Sequence, residues 1–376
     1  MDFDLTEEQS LLADSVNKLL AGTYSFDQRK AMRAGPGGYD RAMWQQFADL
    51  GLLALPFAES DGGLGGGATD VMLLMGAFGR ALVLEPYLAA VVLAGGCLRH
   101  AASEAQRAEF LPGLISGEKT YAFAHVERGA RFDLTQVTTV ARREGDAWVI
   151  EGAKSVVLHG ASADEVIVSA RLPDGGIGLF VVESTAPGLE RRGYPTQDGL
   201  RAADLRLSGV RVADDRRLQA ADGLATVQRV VDEAIAALCA EAVGVMERAH
   251  EITVDYLKQR KQFGVFIGSF QALQHRAVDM LVMVEQARSM AYYATMMVSE
   301  PDPALRSAAM SAAKVQIAHS ARFVGEQAVQ LHGGIGVTEE CSIGHYYRRL
   351  TLLEILFGDV NHHLANLASA GGLAGG

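Results

Sequence analysis

Two short stretches in the C-terminal part of the chain gather residue types suited to holding an anion. The first, Arg260-Lys-Gln-Phe263-Gly264, interrupts a long helical pattern and is followed by Gly268 and Phe270-Gln271. The second, Gln330-Leu-His-Gly333-Gly334-Ile-Gly336, closes a later apolar-periodic run. A guanidinium at position 260 offers a planar fork of N–H donors that matches phosphate oxygens. Paired glycines let a backbone approach a ligand closely, and a turn there can aim N–H groups at an anion. A glycine costs a helix interior about 1 kcal/mol relative to alanine, so neither break is neutral. Taken singly, each stretch also has a plainer reading, a helix that ends in a basic last turn with a glycine cap.

A third glycine cluster imitates a dinucleotide fingerprint. Gly63-x-Gly65-x-x-Ala68 follows the apolar Leu-Leu-Ala-Leu-Pro-Phe, and Glu85 comes about twenty residues on. No strand–helix–strand alternation follows it, so a turn between helices is the expectation. Among carboxylates, Glu233, Glu241, Glu354 and Asp359 lie near the C-terminal motifs, and Glu241 is odd for sitting inside the apolar Leu-Cys-Ala-Glu-Ala-Val-Gly-Val-Met. Solvation or an ion pair is the commoner fate of such residues; a general base is the alternative.

The elements that must carry these groups can be read from capping and period. Thr6-x-x-Gln9 and Ser103-x-x-Gln106 are capping-box patterns, and Asp40 can cap a helix that carries Met43, Phe47 and Leu50. Leu12, Val16, Leu19 and Leu20 form one apolar stripe, and Val71, Leu74, Met75 and Phe78 another. Pro112-Gly113 is expected to end the helix begun at Ser103. From Lys119 the period shortens: Val137–Val140, Trp148–Ile150, Glu165–Ala170, Ile177–Val182 and Asp204–Val212 read as antiparallel strands between Gly-rich turns. From about Gly223 the helical period returns. The expected architecture is α+β: a helical domain over 1–118, an antiparallel β-domain over 119–215, and a four-helix bundle over 216–376.

Composition narrows the function classes. The net charge is -11, with no block of Lys or Arg, so nucleic acid and acidic membrane surfaces are excluded as expected partners. Cys97, Cys239 and Cys341 are scattered without zinc spacing and read as reduced thiols, so no metal is expected. The N-terminus, Met-Asp-Phe-Asp-Leu-Thr, lacks the apolar core of a signal peptide. The apolar run from Leu82 to Leu98 is interrupted by Glu85, Pro86 and Gly95-Gly96 and is too short for a membrane span. A cytoplasmic location is expected.

Arg-x-Gln-Phe-Gly and Gln-x-x-Gly-Gly-x-Gly in this order resemble the C-terminal signature of the flavin-dependent acyl-CoA dehydrogenases, and the helix–strand–helix order resembles that family over essentially the whole chain. The resemblance implies FAD as cofactor, with Arg260, Phe263, Gln271, Gln330, Gly333 and Gly334 holding its adenosine-pyrophosphate half, in part across a subunit interface, and Asp359 near the flavin. It also implies an acyl-CoA substrate and an electron-transfer flavoprotein as electron acceptor. The sequence departs from the family pattern on the flavin-ring side. The strand Tyr121-Ala-Phe-Ala lacks the usual threonine, the Gly-Ser-Asp turn after it is missing, and Val156-Val-Leu158 replaces Trp-Ile-Thr. The catalytic base departs as well, for the usual glutamate of Glu-Gly-Thr is Phe357 of Phe357-Gly358-Asp359, and the alternative base position falls on Ala234. This split resembles the small subunit of heteromeric members acting on pimeloyl-type or steroid side-chain acyl-CoAs. A paralogous chain would then complete the site. A self-sufficient homo-oligomer with a relocated base, and a flavin-free acyl-CoA-binding protein, are the alternatives.

Overall fold

The computed structural model describes residues 5–35 and 37–371. They fall into two compact units. One holds the chain up to Lys30, Ala68–Val83 and everything from Ile235; the other holds Ala31–Gly67 and Leu84–Ala234.

The first unit is helical: α1 (Glu7–Thr23), the start of α2 (Phe26–Ala34), α4 (Ala68–Ala81), most of α7 (Gly223–Gln259), α8 (Gln271–Met297), α9 (Pro303–His332), α10 (Ile343–Ile355) and α11 (Val360–Ser369). The Thr6 capping box forms as the sequence implies, with Thr6 Oγ1 accepting from Gln9 N and Gln9 Oε1 from Thr6 N, each at 3.2 Å. Glycines let α4 and α7 meet backbone to backbone. A Cβ at Gly79 would lie 2.1 Å from the Glu241 carbonyl, and one at Gly244 would lie 2.0 Å from the Gly76 carbonyl. Helix α9 is the centre of the bundle, packed against α8, α10 and α11. Its small residues, Ala309, Ala313, Ala318, Ala321 and Ala328 among them, are buried by these neighbours.

The second unit contains α3 (Arg41–Asp49), α5 (Gly95–Ala101), α6 (Glu104–Ile115) and a seven-stranded sheet. The strands are β1 (Tyr121–Ala124), β2 (Val140–Glu144), β3 (Ala147–Leu158), β4 (Glu165–Arg171), β5 (Ile177–Glu183), β6 (Leu189–Pro195) and β7 (Arg201–Ala213), in the order β1-β4-β2-β3-β7-β6, with β5 paired to β4. Pairing is antiparallel except where β4 runs parallel to β1 and meets β2 at one parallel bridge. Trp148, Ile150, Val166, Val168, Phe180 and Leu205 lie in its core.

Two local expectations change, and a further run takes a form that the apolar pattern does not show. Helix α6 runs through Pro112 to Ile115, although proline there removes the N–H that would meet the Ala108 carbonyl. Thr138 and Thr139 stand outside β2, since their N–H groups donate to the Glu127 carboxylate rather than to a strand. The run Leu88–Ala94 forms a π-helical turn leading into α5, and its residues are buried. Among the described residues, no helix is long and apolar enough to cross a membrane.

Candidate functional site

The Arg260 motif is a hairpin rather than a helix cap. Lys261–Gln262 (β8) pairs with Val265–Phe266 (β9), and Phe263 and Gly264 turn the corner at φ +55° and +80°. Two central residues with positive φ make a type I′ corner, whose twist suits a two-residue hairpin loop. Ile267 N donates to the Arg260 carbonyl at 2.9 Å and closes the hairpin's base. Gly268 lets this segment lie against α7, where a Cβ would stand 2.8 Å from the Leu257 carbonyl. The tip is open: Phe263 is 89% exposed, and Val265, Phe266 and Phe270 are exposed too. Arg260 is exposed and forms no ion pair among the described residues.

Gln330 lies exposed in the last turn of α9, and Gly333 ends the helix at φ +64°. A Cβ at Gly333 or Gly334 would meet only open space. The two motifs are joined through residues that sequence reasoning missed. The rings of Tyr256 and His332 stack at 4.4 Å between centroids, linking the end of α7, one turn before Arg260, to the residue before Gly333. Helix period gave no signal for this pair. Gln271 is the exposed first residue of α8. Asp359 serves as a cap: its Oδ1 accepts from His362 N at 2.9 Å at the start of α11. An unpaired guanidinium and an open glycine turn fit the phosphate chemistry of a dinucleotide.

In the sheet unit, β1 is wholly buried, with Ala124 where the hydroxyl was sought. The loop after it is tied down by Glu127, whose carboxylate accepts from Thr138 N at 2.8 Å, Thr139 N at 3.0 Å, Lys154 Nζ at 2.8 Å and the Thr138 hydroxyl. Burial would raise the Glu127 carboxyl, but Lys154 and Thr138 bring it down to about 2. Burial in turn lowers Lys154 to about 8, against the pull of Glu127. Val156 is exposed at φ +52°, beside a register break in β3, and its N–H donates to Asp204 Oδ1 at 3.2 Å. For a β-branched residue that backbone is strained. Val156, Leu158 and Ala124 have no side-chain donor or acceptor for a flavin ring. The adenosine-side residues therefore suit the cofactor, and the ring-side side chains do not.

The carboxylates near the C-terminal motifs are already engaged. Glu241 meets Arg349 of α10 in a bidentate pair at 2.7 and 2.8 Å, with both side chains 7% exposed. Glu354 accepts from Arg322 at 2.6 Å. In the sheet unit, Glu233 faces Arg99, His100 at 2.8 Å and Arg229 at 3.0 Å. Burial would raise its carboxyl, but His100, Arg99 and Arg229 together hold it at about 2. Such a group is a poor proton acceptor at neutral pH. Ala234 is fully buried, and Phe357 turns a corner at φ +59°. The Gly63–Ala68 cluster follows a series of turns rather than a strand, and Gly63 is needed because a Cβ would lie 2.1 Å from the Phe57 carbonyl. That closes the nicotinamide reading.

Helices, a sheet and helices again follow one another along the chain, and the last group carries the glycine turn and the exposed arginine. Family models for the N-terminal, middle and C-terminal domains of acyl-CoA dehydrogenase match residues 6–118, 122–212 and 221–371. The chain is 30% identical over 366 residues to a probable acyl-CoA dehydrogenase, YngJ, of Bacillus subtilis, covering 94% of this chain and 95% of that protein. Butyryl-CoA dehydrogenase of Megasphaera elsdenii superposes with a TM-score of 0.89 at 26% identity, covering 98% and 99% of the two chains. A chain of the ChsE4-ChsE5 complex of Mycobacterium tuberculosis gives 0.88 at 25%, covering 98% of each. The chain belongs to the acyl-CoA dehydrogenase family, FAD-dependent oxidoreductases acting on the CH–CH bond of acyl-CoA thioesters.

Proposed function

We propose that this chain serves acyl-CoA α,β-dehydrogenation as the cofactor-sharing small subunit of a heteromer, completed by a paralogous chain that supplies the base and the flavin-ring contacts. The observation that carries this reading is the fate of the carboxylates. Phe357 and Ala234 stand at the two base positions, Glu241 is locked to Arg349, and Glu233 is held ionised by three basic neighbours. Arg260 would bind the pyrophosphate, Gly333 and Gly334 would present backbone N–H groups to it, and Phe263, Gln271 and Gln330 would line the adenosine half, with Asp359 near the flavin. Bound FAD would take up the hydride, and electrons would leave through an electron-transfer flavoprotein. That a heteromeric complex stands among the structural relatives supports the assembly.

The interface would be the exposed face of α8, where Val278, Leu281, Val282, Tyr292, Tyr293 and Met296 lie on one stripe, continued by the aromatic hairpin. The small residues of α9 are not open to such a contact, since α8, α10 and α11 cover them. The domain segments are 1–118, 119–215 and 216–376, and the location is cytoplasmic.

The purified chain alone should turn over acyl-CoA with an artificial electron acceptor only weakly; robust turnover would overturn the small-subunit role. Arg260→Ala should lower flavin retention in the heteromer roughly ten- to a hundredfold, the worth of a charge-assisted hydrogen bond. Phe357→Ala should leave retention unchanged.

A further inference from the structure

We propose that Lys314 is a positioning residue for position 357: its buried amine clamps the Phe357–Gly358 corner and fixes the backbone from which that side chain projects. Lys314 lies on α9 and is 1% exposed. Its Nζ donates to the Glu354 carbonyl at 2.8 Å, at the end of α10, and to the Gly358 carbonyl at 3.0 Å. Among the described residues it forms no ion pair, because the Glu354 carboxylate is turned to Arg322. A buried amine without a carboxylate is expensive to keep. Here its work is to hold two carbonyls on either side of one corner.

The same face of α9 holds the corner a second way. Ser311, one turn before Lys314, meets His363 Nδ1 at 3.0 Å, and the His363 ring packs so close to Gly358 that a Cβ there would lie 2.6 Å from Nε2. Phe357 at φ +59° and Gly358 at φ +124° adopt a backbone that residues with side chains avoid. Such a backbone persists only where its surroundings over-determine it. That the corner matters to an acyl-CoA reaction rests on the function proposed above; the clamp itself does not.

Burial lowers the Lys314 amine to about 8, with Cys239, Glu354 and Asp359 pulling the other way. Cys239 on α7 is pushed up to about 12 and His363 on α11 down to about 3, so neither titrates near there. A neutral amine still has N–H groups for both carbonyls but loses the charge that strengthens them. Yet an opening that hydrates the amine returns it toward 10.5 and takes up a proton, so the corner should become harder to open as pH rises through 8.

Amide hydrogen exchange of the full chain tests this. In Lys314→Met the amides of Leu356, Gly358 and His363 should exchange at least tenfold faster, while those in the middle of α1 and α8 stay within twofold. Uniform acceleration through the bundle, or none, would overturn the proposal. The unmutated chain gives a second measurement that needs no variant to fold. After correction for intrinsic rates, these three amides should gain protection severalfold between pH 7 and 9, and a flat profile would likewise overturn it. A chain that oxidised acyl-CoA unaided would defeat the small-subunit role and leave these exchange results standing.

Discussion

The bundle contains two Phe-Gly corners that make the same backbone demand and are treated in opposite ways. Phe263-Gly264 turns at φ +55° and +80°, Phe357-Gly358 at +59° and +124°. The first is held only by a hairpin of two-residue strands, and its ring is 89% exposed. The second is gripped by Lys314 and backed by the His363 ring. A two-residue hairpin is weak in water, and an exposed aromatic at its tip adds nothing to the chain's own packing. One corner stands open, the other is held fixed. A left-handed corner thus says little by itself, and what contacts it says what it is for.

The sharpest way to break the comparison is to add one methyl group to each glycine. At Gly358 a Cβ would strike His363 and His362 at 2.6 Å and would sit in a backbone region reserved for glycine. Gly358→Ala should therefore destabilise the chain by about 4 kcal/mol, strain and overpacking together. At Gly264 nothing lies within 4 Å. Gly264→Ala should lose only the left-handed penalty, about 1–2 kcal/mol. Urea midpoints of the two variants measure the gap, and equal losses would mean the two corners are alike.

Much of this was legible in the sequence, and the remainder was hidden for identifiable reasons. Capping boxes at Thr6 and Ser103 and the change of period near Lys119 are local signals, and the helix–sheet–helix order follows from them. The hairpin was not legible, because Phe-Gly lacks the Asn or Asp that marks a type I′ turn and a glycine after a basic helix end reads as a cap. Glu241 was visible as an odd carboxylate, but its partner Arg349 lies on another helix far along the chain. Strand β6 was missed because Arg191-Arg192-Gly193 breaks the apolar alternation. Lys314 gave no sign at all: a lysine among alanines on a helix reads as solvated, and the packing of other elements against α9 buries it.

The clamp also has a signature in stability against pH. The folded-state value for Lys314, about 8, lies below its ordinary 10.5, so between these values the unfolded chain binds more protons. This group's contribution to stability should then rise with pH across that window, by up to on the order of 3 kcal/mol. Below pH 8 the amine is charged in both states, and the burial penalty is fully present. Lys154, lowered by burial to about 8 as well, adds a rise of the same sign. The difference between the wild-type chain and Lys314→Met cancels that share. Parallel urea-stability curves for the two proteins from pH 7 to 10 would show that Lys314 is not the buried cation the corner requires.

The smallest effect on the chain's own stability should come from Phe263→Ser at the open corner. Its ring meets Phe270 in an edge-on contact, with centroids 6.3 Å apart, and is 89% exposed. Truncating an exposed side chain away from caps and buried partners shifts stability by about 0.5 kcal/mol or less. The same ring at the centre of a subunit contact would be an aromatic anchor, whose loss costs association about 2 kcal/mol or more. The expected result is thus an unmoved urea midpoint together with a dissociation constant raised about thirtyfold or more, read by sedimentation at decreasing concentration. A lowered midpoint with unchanged association would reverse the assignment. The aromatic tip would then belong to the chain's own packing, and the contrast between a covered corner and a fixed one would fall.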